Sequence, residues 1–225
     1  MGTDDLFHKR KQRKAASMQR NRARRAPYDR VLVVCEGAKT EPNYFKEIRD
    51  DYRLSTANID ICGDECGSDP LSVVNYAIKK FREDPDYDRV YCVIDRDKHT
   101  TFDAAIDKLR HTRLGRNISF TAIISVPCFE FWLLLHFMYT TRQFCAPGNA
   151  SNCDLVIAEL NKKARIPGYN KGARNIFTLT KTLLPDAIKH AKQLQQHNIS
   201  VGANNPATNI HDLIEYLTGL NTRQA

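Results

Sequence analysis

Four short apolar runs alternate with segments of helical periodicity, and this alternation limits the fold more than any other feature. The runs are RVLVVC (30–35), a weaker NIDI (58–61), RVYCVI (89–94) and ISFTAIISV (118–126). Continuous β-branched runs of this length mark strands covered on both faces, which is typical of parallel sheets. Between them, Thr40 is placed to cap a helix over 41–52, with Pro42 tolerated in its first turn. Asp69 is placed to cap a helix over 70–83, where Leu71, Val74, Ile78 and Phe81 recur at helical spacing. Phe102, Ile106 and Leu109 share one face of a third helix, over 102–113. Strand and helix in strict alternation predict a doubly wound, mostly parallel four-stranded sheet with right-handed crossovers.

After Pro127 no further strand is expected. Segments 129–138, 153–164, 178–184, 185–196 and 210–220 read as helices joined by Pro-, Gly- and Asn-containing loops. The predicted organisation is a basic arm over 1–26, an α/β domain over 27–126, and a helical extension over 127–225 that packs on the sheet.

Charge divides along the same lines. Residues 1–26 carry nine Lys/Arg and two Asp/Glu of the chain's 34 and 26, so 25 basic and 24 acidic residues remain for the rest. The arm, with its KRKQRKAASMQRNRARR run (9–25), has too little apolar surface to offset the entropy of ordering. Two roles suit it: salt-dependent contact with phosphates, or a solubilising tail that meets an acidic protein. No apolar run reaches the roughly 18 residues of a membrane span. The N-terminus is too polar for a secretory signal, so a cytoplasmic protein is expected. The seven cysteines are irregularly spaced. Cys62 and Cys66 lack a second pair at zinc-finger spacing, which favours reduced thiols.

Open α/β sheets bind ligands beyond the carboxyl ends of their strands, where the strand order reverses. Glu36 directly follows the first run, and Asp95-Arg96-Asp97 ends the third. If those strands are neighbours, three carboxylates meet there and repel unless protons or a cation compensate. Hard oxygen donors select Mg²⁺ or Mn²⁺ over zinc. The competing reading is that each acid caps the helix that follows. Glu130, alone in an apolar segment, needs a partner or a metal if buried. Lys39, Arg96, Lys98, Lys171 and Arg174 are candidates for phosphate contact, or solvated loop charges. His136 reads as a core residue, and His211 as a helix N-terminal one.

The strings CEGAKTEPNYF (35–45), VIDRD (93–97), PCFEFWLLLHF (127–137) and NPATNIHDLIEYL (205–217) resemble, in that order, the RloB family of bacterial defence-associated proteins. RloB proteins in turn look like divergent members of the Toprim group, which includes topoisomerases, primases and OLD-type nucleases. That group uses one Glu after the first strand and an Asp-x-Asp after the third, where this chain has Glu36, Asp95 and Asp97. The resemblance implies a Toprim-like, Mg²⁺-dependent nuclease acting on DNA or RNA (tRNA included) against phage, with an ABC-type or AAA-type ATPase partner. Lys39, Thr40 and Glu41 stand where Toprim domains commonly have a glycine-rich turn. The alternative is a non-catalytic nucleic-acid-binding or adaptor subunit of a defence ATPase. Primase-like transfer is less well supported, for want of a Gly-rich phosphate loop.

Overall fold

The computed structural model describes residues 28–96, 99–148 and 150–220. The basic arm, Asp97 and Lys98 lie outside the described residues. The alternation is realised as β1 (Val31–Cys35), α1 (Thr40–Asp51), β2 (Ile59–Cys62), α2 (Pro70–Glu83), β3 (Arg89–Asp95), α3 (Phe102–His111) and β4 (Ser119–Val126). The sheet order is β2-β1-β3-β4 with a fifth strand, β5 (Ala207–Thr208), outside β4. The first four strands pair in parallel, and β5 runs antiparallel.

All five residues of β1 are fully buried, and the period-two geometry of a strand explains why none is polar. Val31, Val33 and Cys35 face one core, shared with Tyr44, Phe45 and Ile48 of α1. Leu32 and Val34 face the other, shared with Val74, Ile78 and Phe81 of α2 and with α3. Asp69 caps α2 as expected, its carboxylate accepting from the Leu71 and Ser72 amides at 3.2 Å each. Thr40 does not cap α1. It is the first helical residue, its hydroxyl faces another loop, and no side chain caps that helix.

The fifth strand corrects the four-strand expectation. Two residues are too few for a periodic signal, and the pairing depends on Asn209 instead. Its side chain accepts from the Ile124 amide at 2.6 Å and donates to the Ala122 carbonyl at 3.2 Å, which fastens the NPATN segment to the edge of β4.

Beyond Pro127 the helices are α4 (Glu130–Leu135), α5 (Asn152–Leu160), α6 (Ile176–Thr180), α7 (Leu184–Val201) and α8 (Ile210–Thr218). The segment predicted as a helix over 178–184 divides into α6 and a 3₁₀ turn, Lys181–Leu183. Every residue of α4 is buried, and its side chains join the same core as α1. A buried polar chain ties the two helices: Trp132 Nε1 donates to the Tyr44 hydroxyl at 3.0 Å, which lies 3.4 Å from His136 Nε2. Burial lowers the His136 pKa to about 4, so the neutral ring is a core residue. Among the described residues no helix is long and apolar enough to cross a membrane.

Candidate metal centre

β1 and β3 are adjacent, with Cys35 level with Val93, so Glu36 and Asp95 emerge side by side at the carboxyl ends of the two strands. The Glu36 amide continues the ladder to the Val93 carbonyl at 3.0 Å. Its buried carboxylate accepts from the Asp95 amide at 3.0 Å through Oε2, and Oε1 lies 3.1 Å from His99 Nε2. Asp95 lines the same opening as Glu36, Ser68 and Cys128, beside the turn that follows β4.

Two further carboxylates converge on these. Glu41, in the first turn of α1, is buried against Gly37, where an added Cβ would overlap the Glu41 carboxylate. Glu130 opens α4 and is buried; its Oε1 accepts from the Tyr169 hydroxyl at 3.1 Å, and its Oε2 lies 3.1 Å from Cys153 Sγ. Cys128 and Cys153 are joined as a disulfide, which departs from the expectation of reduced thiols. The pairing follows from proximity: α5 packs on α4 and brings together two cysteines 25 residues apart.

The electrostatics follow from this crowding. Burial raises the Asp95 carboxyl well above its ordinary range, and the charges of Glu41, Glu130 and Glu36 raise it further against the Phe129 amide. Burial likewise lifts Glu41 to about 7, with Glu130 and Glu36 adding to the effect and its own backbone amide and Lys171 opposing it. The charges of Glu36 and Glu130 thus bear on both Asp95 and Glu41, although no three of these four acids bring ligand oxygens within 4.8 Å of one another.

The loop that carries Lys171 is fastened to α1 twice. The Gly172 amide donates to the Thr40 hydroxyl at 2.8 Å, and the Glu47 carboxylate accepts from the Asn175 and Thr178 amides at 2.6 and 3.2 Å. Lys171 thereby lines two openings, of about 200 and 210 Å³, that share Gly37 and Glu41. Glu36, Asp95 and His99 line the first; Lys39 and Glu130 line the second.

Of the residues singled out in the sequence, Glu36, Asp95, Glu130, Lys39 and Lys171 meet here. Arg96 does not: its guanidinium lies 5.4 Å over the Phe102 ring and lines a separate cavity of about 610 Å³. Arg174 is exposed and lines neither opening. His211 is buried in α8, with Nε2 3.3 Å from the Asp212 carboxylate. Asp97 and Lys98 lie outside the described residues. The sequence reading missed Glu41, His99 and Tyr169. An acid in a helix's first turn looks like an ordinary partner of the helix dipole, and a loop histidine carries no periodic signal.

The donor set is suited to a hard cation, since Glu36, Glu41, Asp95 and Glu130 offer only carboxylate oxygens. Among the described residues, the one His/Cys/Asp/Glu group with ligand atoms within 4.8 Å of one another is Cys128, Glu130 and Cys153. With those sulfurs joined as a disulfide, it lacks the thiolates a softer metal needs.

A protein-family model described as RloB-like protein matches residues 31–217. No curated protein and no solved structure matches the chain.

Proposed function

The chain belongs to the RloB-like protein family, and on that premise we propose that it is a Toprim-like nuclease, dependent on Mg²⁺ or Mn²⁺ and active in the cytoplasm as the effector of an antiphage defence system. The observation that carries this reading is that half-buried Asp95 and buried Glu36, at the ends of adjacent parallel strands, lie beside buried Glu41 and Glu130 of the neighbouring helices. Maintaining such repulsion is costly, and a cation removes the cost.

Glu36, Asp95 and Asp97 would hold the ion, with Glu41 and Glu130 beside them. When bound, the ion supplies Lewis-acid stabilisation of charge on the scissile phosphate of DNA or RNA. Glu41, lifted to about 7, accepts or holds a proton near neutrality, as a general base for water requires. Lys171, exposed at the rim of both openings, attracts the phosphate. His99 fixes the Glu36 carboxylate from its far oxygen.

The test is Mg²⁺-dependent cleavage of labelled single- and double-stranded DNA and RNA, with and without the ATPase of the ABC or AAA type that we expect as its partner. Cleavage lost in Glu36→Gln and Asp95→Asn supports the reading; no cleavage of any substrate under any of these conditions rejects it.

One observation favours a second reading. Both Glu36 oxygens already have protein partners, as in a structural carboxylate. The protein would then be a non-catalytic, nucleic-acid-binding adaptor of the ATPase, and would bind nucleic acid equally well with and without metal.

A further inference from the structure

Apart from the carboxylate site, the described residues form a space of about 610 Å³ lined by Arg96. Its volume lies within the range of small-ligand pockets. α3, the end of β4, α7 and the NPATN turn enclose it. We propose that it is a nucleoside subsite, which takes one unpaired base and sugar of a single-stranded nucleic acid while the adjoining phosphate lies at the carboxylates. This rests on the nuclease reading for the phosphate, but the cavity itself is argued independently.

Asp95 and Arg96 are consecutive at the end of β3, so their side chains leave on opposite sides of the sheet. Asp95 lines the acidic opening together with Glu36, Glu41 and His99. The Arg96 guanidinium lies over Phe102 on the other side. One peptide unit therefore separates the acidic centre from the cavity.

Ile106, Ile124 and Val126 give the cavity an apolar lining, and Phe102 with Arg96 over its ring offers the aromatic and guanidinium surface on which bases stack. Its charged residues balance, Arg96 and Arg110 against Asp103 and Asp107. A phosphate pocket would be basic, whereas a neutral one suits an uncharged nucleoside. Asn204 supplies an amide for base edges, and Asn198, whose Nδ2 donates to the Pro206 carbonyl at 2.8 Å, offers its side-chain oxygen. In the adjoining residue, the buried Asn205 Oδ1 has no hydrogen-bond partner among the described residues. The NPATN segment thus has a use beyond closing the sheet.

Bases inside a duplex are paired and stacked, so only a single strand, a loop or an extruded residue can place one in a pocket between two helices.

The experiment measures binding by the full chain in EDTA, where no cleavage complicates it. The probes are labelled homopolymer single strands and a duplex, with the four ribonucleoside 5′-monophosphates as competitors. The expected result is preference for single strands, competition by at least one monophosphate, and an affinity loss of roughly tenfold in Ile106→Trp, which fills the cavity. Arg96→Ala, at an exposed position that leaves folding intact, is expected to lose a similar factor, and Arg96→Lys to restore little of it because lysine keeps the charge without the planar surface. Wild-type affinity in Arg96→Ala, full rescue by lysine, or preference for the duplex would each overturn the proposal, whatever the cleavage result. If the binding pattern holds but Mg²⁺ brings no cleavage, the nuclease reading falls and the subsite stands.

Discussion

The Asp95 backbone amide donates to the Glu36 carboxylate at 3.0 Å, so the last residue of one strand is held by the first residue beyond its neighbour. The bond fixes Glu36 without neutralising it. His99 Nε2 lies 3.1 Å from the other oxygen. The charge of the site is therefore distributed among groups that are oriented but not fully compensated.

Neutralising these groups is expected to separate stability from metal response. Glu36→Gln and Asp95→Asn each keep shape and remove one charge, so in EDTA the melting temperature should equal or exceed that of the wild type. The rise in melting temperature on adding Mn²⁺ should be largely lost in both, because ligand stabilisation follows occupancy of the folded state. Asp97→Asn is expected to behave alike. Variants that keep the full Mn²⁺ response would show that these carboxylates hold no ion.

The pH dependence has a definite sign. Glu41 titrates at about 7 in the folded chain against an ordinary value of 4.5. The folded state therefore binds that proton more tightly, and the stabilisation is complete below 4.5 and lost as pH rises through about 7. The difference corresponds to on the order of 3 kcal/mol. His136, lowered from 6.5 to about 4, acts oppositely: its stabilisation is present above 6.5 and lost as pH falls through about 4. Wild-type melting alone will show the two partly cancelled. The advantage of Glu41→Gln over the wild type should grow steadily between pH 5 and 8 in thermal melts without metal. A constant difference would mean that Glu41 does not titrate there.

Gly37→Ala tests whether Glu41 must occupy its place. The added Cβ would overlap the Glu41 carboxylate, while the Gly37 backbone lies outside the left-handed region and accepts alanine. The expected outcome is a folded protein that melts within about 1 kcal/mol of the wild type, with Glu41 expelled and Mn²⁺ stabilisation reduced. Unchanged metal stabilisation in a folded Gly37→Ala protein would place Glu41 outside the centre.

Deleting residues 1–26 removes nine basic and two acidic residues. If the arm neutralises phosphates, nucleic-acid affinity falls and the slope of log affinity against log salt flattens, since fewer counterions are released. An unchanged slope in fluorescence titrations at several salt concentrations would assign the arm another task.

The central strands and α2 were legible because burial on two faces demands continuous apolar runs, and because Asp69 followed by Pro70 is a strong helix start. Glu36 and Asp95 were legible for the same reason, since the chemistry of a parallel sheet lies where its strands end. Thr40 was misread as a cap because the group it serves, the Gly172 amide, is 132 residues away. β5 was missed because two residues carry no periodic signal, and the side chain of Asn209 supplements their short backbone pairing with β4. Glu41 was seen only as a helix residue, for nothing local marks a carboxylate whose neighbours come from three other segments.

The acidic centre takes Glu36, Glu41 and Asp95 from before Pro127 and Glu130 and Lys171 from after it, with Thr40 and Glu47 clasping the later loop. A break at Pro127 leaves neither fragment with the whole set. Genetic recombination that grafts the sheet onto another partner would pass on the strand-end acids without their companions. The two portions are therefore expected to keep the whole set only when they are inherited together.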